Sequence, residues 1–395
     1  MRPRLIMTTA VFVAAAMMTL EASARELVIG LSYGKTGRYS SIGKTTEAAV
    51  DIAVREINAK GGVNGMKIKL VKFDTAGDPR QAVVAVRKFA QDDKAIAVIG
   101  PFSSSEARVA FPAGERLGIV QIPNASSAPK LADKFSYAYR ATESEYLQFI
   151  RVVTTLKKKG MLKKNVAILY APDDVVSKAV GLFIMQPIFK QFGVKLATKP
   201  IGFRTEAFDL SPQVSQLKGL KLDYVGVAGI TPIAIRVLKE MRRQGVNTPM
   251  IGGQIWADPE IIKRMGKAAD GSVFIVSFWY KRNARSLAFS RKFVAEVKKM
   301  GIDKPFPHHV DASAYDTVYI LAAAMRQAKV TGDPAKLKAE RTAIRDTLAK
   351  ITVPGVIGDI CFEKNGDAQL PGYVITMKNG QWELLEEHKP LPCNK

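Results

Sequence analysis

Two short runs of small hydroxyl residues are the groups in this 395-residue chain best suited to holding a ligand. Pro101-Phe102-Ser103-Ser104-Ser105-Glu106 follows an apolar run that ends at Gly100, and Pro123-Asn124-Ala125-Ser126-Ser127-Ala128-Pro129 follows another that ends at Ile122. Small side chains let backbone N–H groups come close to a carboxylate, and each Oγ adds a donor. A helix starting at such a loop favours an anion further. The same serines could cap helices, and the two roles are compatible.

Other suggestive clusters fail on spacing. Gly43-Lys44-Thr45 lies where a phosphate loop would lie, but Gly37 is one residue too far upstream for GxxxxGK[ST]. Ser127-Ala128-Pro129-Lys130 matches SxxK and Lys35-Thr36-Gly37 matches KTG; their order is reversed, SDN is missing, and Pro129 interrupts the required helix. His308-His309 near Asp311 could suggest a metal, yet adjacent histidines face apart on regular structure and no fourth ligand is near in sequence. They are expected to be surface or hinge histidines. No Ser/His/Asp set or carboxylate pair stands out, so no catalytic residue, metal or cofactor is expected.

The serine loops must be positioned by a repeated alternation of strands and helices. Strand-like runs recur at Leu27–Leu31, Ile68–Phe73, Ala97–Ile99 and Gly118–Ile122, then at Val166–Leu169, Lys195–Pro200, Tyr224–Val227 and Met250–Gly252, with helical patterns between them. That alternation predicts an α/β fold of doubly wound parallel sheets, and the chain length favours two lobes. Val273–Tyr280 and Thr352–Phe362 are further extended runs, so the chain should cross between lobes three times. Turns at Asn365-Gly366 and Asn379-Gly380 predict β-hairpins near the C-terminus.

Arg2 and Arg4, an apolar run from Leu5 to Leu20 and Ala22-Ser23-Ala24 read as a signal peptide cleaved after Ala24. Its removal takes two arginines and Glu21, and lowers the net charge from +23 to +22. The basic residues are scattered singly and in short groups without aromatic interleaving, which argues for a solvated surface rather than a nucleic-acid site. Such a surface can steer anionic solutes or acidic partners. In an oxidising compartment Cys361 and Cys393 could form a disulfide pinning the tail; the alternative is two unpaired thiols.

The segment EAAVDIAVREINAKGGVNGMKIKLVKFDTAGDPR, Glu47 to Arg80, is the most specific pattern. Its helix, GGxxG turn, strand and D…DP sequence resembles the first lobe of the periplasmic branched-chain amino-acid binding proteins, type I receptors of ABC importers. The resemblance runs from about Glu26 to about Trp382. It implies an N-terminal lobe from residues 25–142 and 281–351, and a C-terminal lobe from 143–280 and 352–395. It further implies a monomeric periplasmic carrier that closes over a small carboxylate-bearing ligand and meets an inner-membrane ABC permease. A ligand sensor of the same fold is the rival.

On this resemblance Ser104 falls on the carboxylate-binding serine, and Asn124, Ala125 and Ser126 fall on the P-x-A-T loop, here one residue longer. In the second lobe Val175, in Asp173-Asp174-Val175-Val176, and Ile230 stand where tyrosine-glycine and an aromatic are usual. The acid that pairs with a ligand's ammonium falls on Gln254, followed by Trp256 in Gly252-Gly253-Gln254-Ile255-Trp256. A neutral amide leaves an ammonium without its counter-ion. The implied ligand is therefore an aromatic, 2-oxo or other small organic acid, with Trp256, Trp279, Tyr280, Tyr39 and Phe102 as candidate walls. Asp173 or Asp174 could restore the charge, which keeps a plain hydrophobic amino acid open.

Overall fold

A computed structural model describes residues 25–393, so the expected leader, Met1 to Ala24, lies outside the described residues. Its first unit is the βαβ step read from the sequence. Strand β1 (Glu26–Tyr33) pairs in parallel with β2 (Lys67–Asp74), in register from Glu26 opposite Lys67 to Tyr33 opposite Asp74. The intervening helix, Ser40–Ala59, buries Ala49, Ile52, Ala53 and Ile57, spaced to form one face. Asn58 then fixes the return: its side chain donates to the Ile68 carbonyl and accepts from the Ile68 N–H, both at 2.8 Å. At Gly62, with φ of 75°, a Cβ would come within 1.9 Å of the Met66 carbonyl oxygen, so the turn requires glycine.

With β3 (Ala97–Ile99) and β4 (Val120–Ile122) these strands form a parallel sheet in the order β2-β1-β3-β4. The second sheet contains β5 (Asn165–Tyr170), β6 (Lys195–Leu196), β7 (Ile201–Gly202), β8 (Tyr224–Ala228), β9 (Met250–Ile251) and β10 (Val273–Val276). The expected strand at Lys195–Pro200 is thus reduced to Lys195–Leu196, with a second short piece, β7, just beyond it, and both pair with β5. Three short strands, β11 (Val353–Pro354), β12 (Asp359–Phe362) and β13 (Ala368–Gln369), make a small antiparallel sheet. The chain ends in the hairpin β14 (Gly372–Lys378) and β15 (Gln381–His388), turning at Asn379-Gly380 with both residues at positive φ. This hairpin adds antiparallel strands to the edge of the second sheet beside β10.

The two sheets carry separate cores, and the chain passes between them three times. The last passage comes later than the expected boundary at residue 352. Val353, Ile360, Phe362, Ala368 and Leu370 pack into the first-lobe core, whereas Val374 and Ile375 pack in the second lobe. Polar contacts hold the intervening segment to the first lobe. Buried Asp316 accepts from the Val356 and Ile357 N–H groups at 2.8 and 3.0 Å, and buried Arg140 pairs with Asp367. Cys361 on β12 is joined to Cys393, with Cα atoms 6.2 Å apart, which ties the tail to this small sheet.

Candidate ligand-binding cleft

Both serine loops lie beyond the carboxyl ends of first-sheet strands. After β3, Ser103 caps the helix Ser104–Leu117 in a reciprocal box with Glu106, so its hydroxyl is consumed. Ser104, 1% exposed, accepts from the Ala128 N–H at 3.1 Å and keeps its own O–H available. After β4, the Asn124 amide donates to the Val310 carbonyl at 2.9 Å, and the Ser126 hydroxyl donates to the Phe102 carbonyl at 3.1 Å. Arg140 braces the loop from below, donating to the Ser126 and Ala128 carbonyls at 2.8 and 2.6 Å.

These loops face a cavity of about 60 Å³ between the lobes. Its first-lobe wall carries Tyr39, Ile42, Phe102, Ser103, Ser104, Ala125 and Ser127. Val176, Ile230, Gln254 and Ile255 close it from the second lobe. His308, His309 and Val310, at the start of the first-lobe helix His309–Gln327, complete it. A benzene-sized guest occupies an engineered cavity of about 150 Å³. A six-membered ring therefore enters only if the lobes part or wall side chains shift.

Contacts across the cleft are both apolar and polar: Ile230 packs on the cluster of Tyr39, Ile42, Phe102 and Val310. Asp174 caps the short helix Val175–Lys178 through the Ser177 N–H, and its other oxygen receives the Tyr39 and Ser105 hydroxyls of the first lobe at 3.5 and 3.4 Å. Buried Lys304 lies 3.3 Å from Asp258 of the second lobe, 3.9 Å from Asp311 and 3.5 Å from the Thr45 hydroxyl of the first. Burial pushes the Asp311 carboxyl up to about 6 despite that ammonium.

The expected site residues separate into those on the wall and those behind it. Ser104, Ala125, Ile230 and Gln254 are on it. Ser126 and Asn124 are not: they hold the loop to its neighbours, and the extra loop residue brings Ser127 to the cavity in place of Ser126. Val175 is displaced by Val176, because the Val175 N–H is engaged at 3.3 Å by the Ser105 hydroxyl. Trp256 is fully buried in the second-lobe core, its ring 5.0 Å from that of Phe274, and Ile255 takes the wall position. Of the other aromatics, Tyr39 and Phe102 line the cavity, whereas Tyr280 stacks on Phe306 at 4.3 Å with Trp279 beside it, away from the cleft. Asp173 braces a loop by accepting from Thr205. Neither it nor Asp174 is on the wall.

Gln254 is more constrained than a free amide would be. Its Nε2 donates to the Thr142 hydroxyl and the Glu143 carbonyl, both at 3.3 Å, and its Oε1 accepts from Ser277 at 3.1 Å. Its backbone N–H donates at 3.2 Å to Glu145, which also accepts from Ser127 at 3.3 Å. Burial pushes the Glu145 carboxyl up to about 8.

The comparisons bear on the whole of this architecture. A family model described as periplasmic binding protein matches residues 26–381. The chain belongs to the periplasmic binding protein family. An amino acid binding protein of Pseudomonas aeruginosa is 26% identical over 377 residues, covering 93% of both chains. Among solved structures, the branched-chain amino acid transporter substrate-binding protein of Streptococcus pneumoniae with isoleucine superposes with TM-score 0.80 at 22% identity, over 93% of this chain and 99% of that one. A benzoate complex of a solute-binding protein from R. palustris gives 0.79 at 20% identity, over 94% and 98%. Members with this fold thus hold amino acids in some cases and aromatic acids in others.

The histidines are the largest departure from the sequence reading. They are buried, 3% and 6% exposed, not on the surface, because the helix His309–Gln327 begins at the cleft. Two histidines opening a first-lobe helix were the available signal. Val176, Ile255 and Ser127 were each one residue from a position that the sequence did single out.

Proposed function

We propose that this chain is the periplasmic solute-binding component of an ABC importer, and that it captures a small organic acid lacking an α-ammonium group for delivery to an inner-membrane permease. One observation carries the ligand class: none of the residues lining the cavity is Asp or Glu. An ammonium enclosed there would lack a counter-ion, at a cost of several kcal/mol. Glu145 behind the wall keeps its proton near neutral pH, and Asp174 is occupied as cap and interlobe contact. The carboxylate is read as held at Ser104 and the neighbouring loop, with Val176, Ile230 and Ile255 against the apolar body. Closure is the expected working motion, since a ligand shifts the lobes only through contacts made in the closed form. The binding role implies no turnover of the ligand.

Calorimetry on matched pairs tests the reading: 4-methyl-2-oxopentanoate against leucine, phenylpyruvate against phenylalanine, with benzoate alongside. The acids without ammonium should bind more tightly than their amino-acid partners. Tight binding of leucine with failure of every deaminated acid would overturn the proposed class. Native mass spectrometry of the purified protein, read for a released small acid, supplies the ligand's identity.

A further inference from the structure

His308 combines two features that a merely structural residue would not need. Its Nδ1 accepts from the Val310 N–H at 3.1 Å, and Asp311 accepts from the His308 N–H at 2.9 Å, so the ring serves as the N-cap of the helix His309–Gln327. A ring nitrogen that accepts carries no proton. In neutral imidazole the proton must then sit on Nε2. Burial and the nearby Lys304 ammonium drive the ring's pKa well below its ordinary value, which keeps the imidazole neutral. The cap therefore fixes the tautomer, and the tautomer leaves Nε2–H as a donor.

That donor makes no hydrogen bond among the described residues, although the side chain is 97% buried and lines the cavity. A buried donor without an acceptor costs about 1–3 kcal/mol, and native proteins rarely tolerate one without a use. The loop on the other side of the same helix start is fixed, since Asn124 holds the Val310 carbonyl. Ser104 offers a further donor on the wall, and the neighbouring His309, also on the wall, leaves its Nδ1 without a partner among the described residues.

Resting on the proposed acid-binding reading, we infer that His308 is a specificity-determining residue: its Nε2–H donates to an oxygen of the ligand other than the carboxylate held near Ser104. The favoured class is a small acid with a second acceptor oxygen, such as a 2-oxo acid, over its plain hydrocarbon counterpart. Helix capping and ligand reading are then performed by the two nitrogens of one ring.

His308→Asn separates these two functions. Asparagine is a good N-cap and can accept from the Val310 N–H, but it has no group at the Nε2 position. The probes are phenylpyruvate and 3-phenylpropanoate, which differ by the 2-oxo oxygen, titrated by calorimetry into wild type and variant. Wild type should prefer phenylpyruvate. The variant should keep its melting temperature, lose about tenfold in affinity for phenylpyruvate, the equivalent of one buried hydrogen bond, and change little toward 3-phenylpropanoate. Equal losses for both acids, or none for either, would overturn the role of His308 while leaving the acid-binding reading standing. Binding of neither acid by wild type, alongside tight binding of an amino acid, would reject both together.

Discussion

The two lobes face the same cavity with unlike chemistry. The first presents serine hydroxyls and the starts of two helices, at Ser104 and His309, beside Tyr39 and Phe102. The second presents Val176, Ile230 and Ile255, plus a glutamine whose amide is already bonded on three sides. Polar orientation therefore belongs to the first lobe, and the second contributes mainly apolar cover. An apolar wall gains roughly 25 cal/mol per Å² buried, so closing it rewards a hydrocarbon body without specifying a charge. A ligand with its one charged group at the first-lobe end suits this division; one with charges at both ends does not.

The strongest way to break the contrast is to charge the second-lobe wall with Gln254→Glu. On the family resemblance alone, this change would supply a counter-ion for an ammonium. The surroundings argue otherwise, because the new carboxylate would meet the Glu143 carbonyl where Nε2 now donates. An uncompensated buried charge costs about 3–5 kcal/mol. Urea denaturation at pH 8 should show a loss of that order, without gain of leucine binding. A variant of wild-type stability that binds leucine would show that these amide bonds do not constrain the site.

A smaller effect sharpens the division within the first lobe. Ser104→Ala removes a wall hydroxyl and should weaken acid binding by about 1.5–3 kcal/mol, the range for hydrogen bonds to charged groups. Ser126→Ala removes a hydroxyl that is turned toward the Phe102 carbonyl, so it should cost about 1 kcal/mol of stability and leave affinity nearly unchanged. Calorimetry and thermal melting on the two variants separate these outcomes. Reversal of the two phenotypes would return Ser126 to the wall in place of Ser104.

The architecture was legible because it is written in local patterns. The helix face of Ala49, Ile52, Ala53 and Ile57, the Gly62 turn and the Asn379-Gly380 hairpin each have a short-range physical cause that survives tertiary packing. The serine loops were legible for the same reason, being tied to strand ends. The side of each loop that faces the ligand depends on distant partners: Ser126 is turned away by the Phe102 carbonyl, and Trp256 is drawn beneath the wall by Phe274. The third crossing was misplaced because Asp316 and Arg140, both far back in sequence, hold residues 353–370 to the first lobe. His308 needed the helix start and the cavity to be known together.

Glu145 offers the subtlest test, since it stands where the two walls meet, touching Ser127 of one and Gln254 of the other. Burial raises its carboxyl from 4.5 to about 8, so between those values the unfolded chain has released a proton that the fold retains. The resulting stability is fully present below about pH 4.5, declines as pH rises, and is gone once pH passes about 8. Glu145→Gln keeps the shape and an acceptor for the Gln254 N–H but cannot titrate. Its stability curve between pH 5 and 8 should therefore be flatter than wild type by up to about 1.4 kcal/mol per pH unit. Glu143 and Asp316, both raised to about 7 by burial, add slopes of the same sign to both proteins, so the difference between the two curves is the measurement. Parallel curves would mean that Glu145 is ionised in the folded protein. A carboxylate charge would then lie directly behind Ser127 and Gln254, and the case against an ammonium-bearing ligand would lose its electrostatic basis.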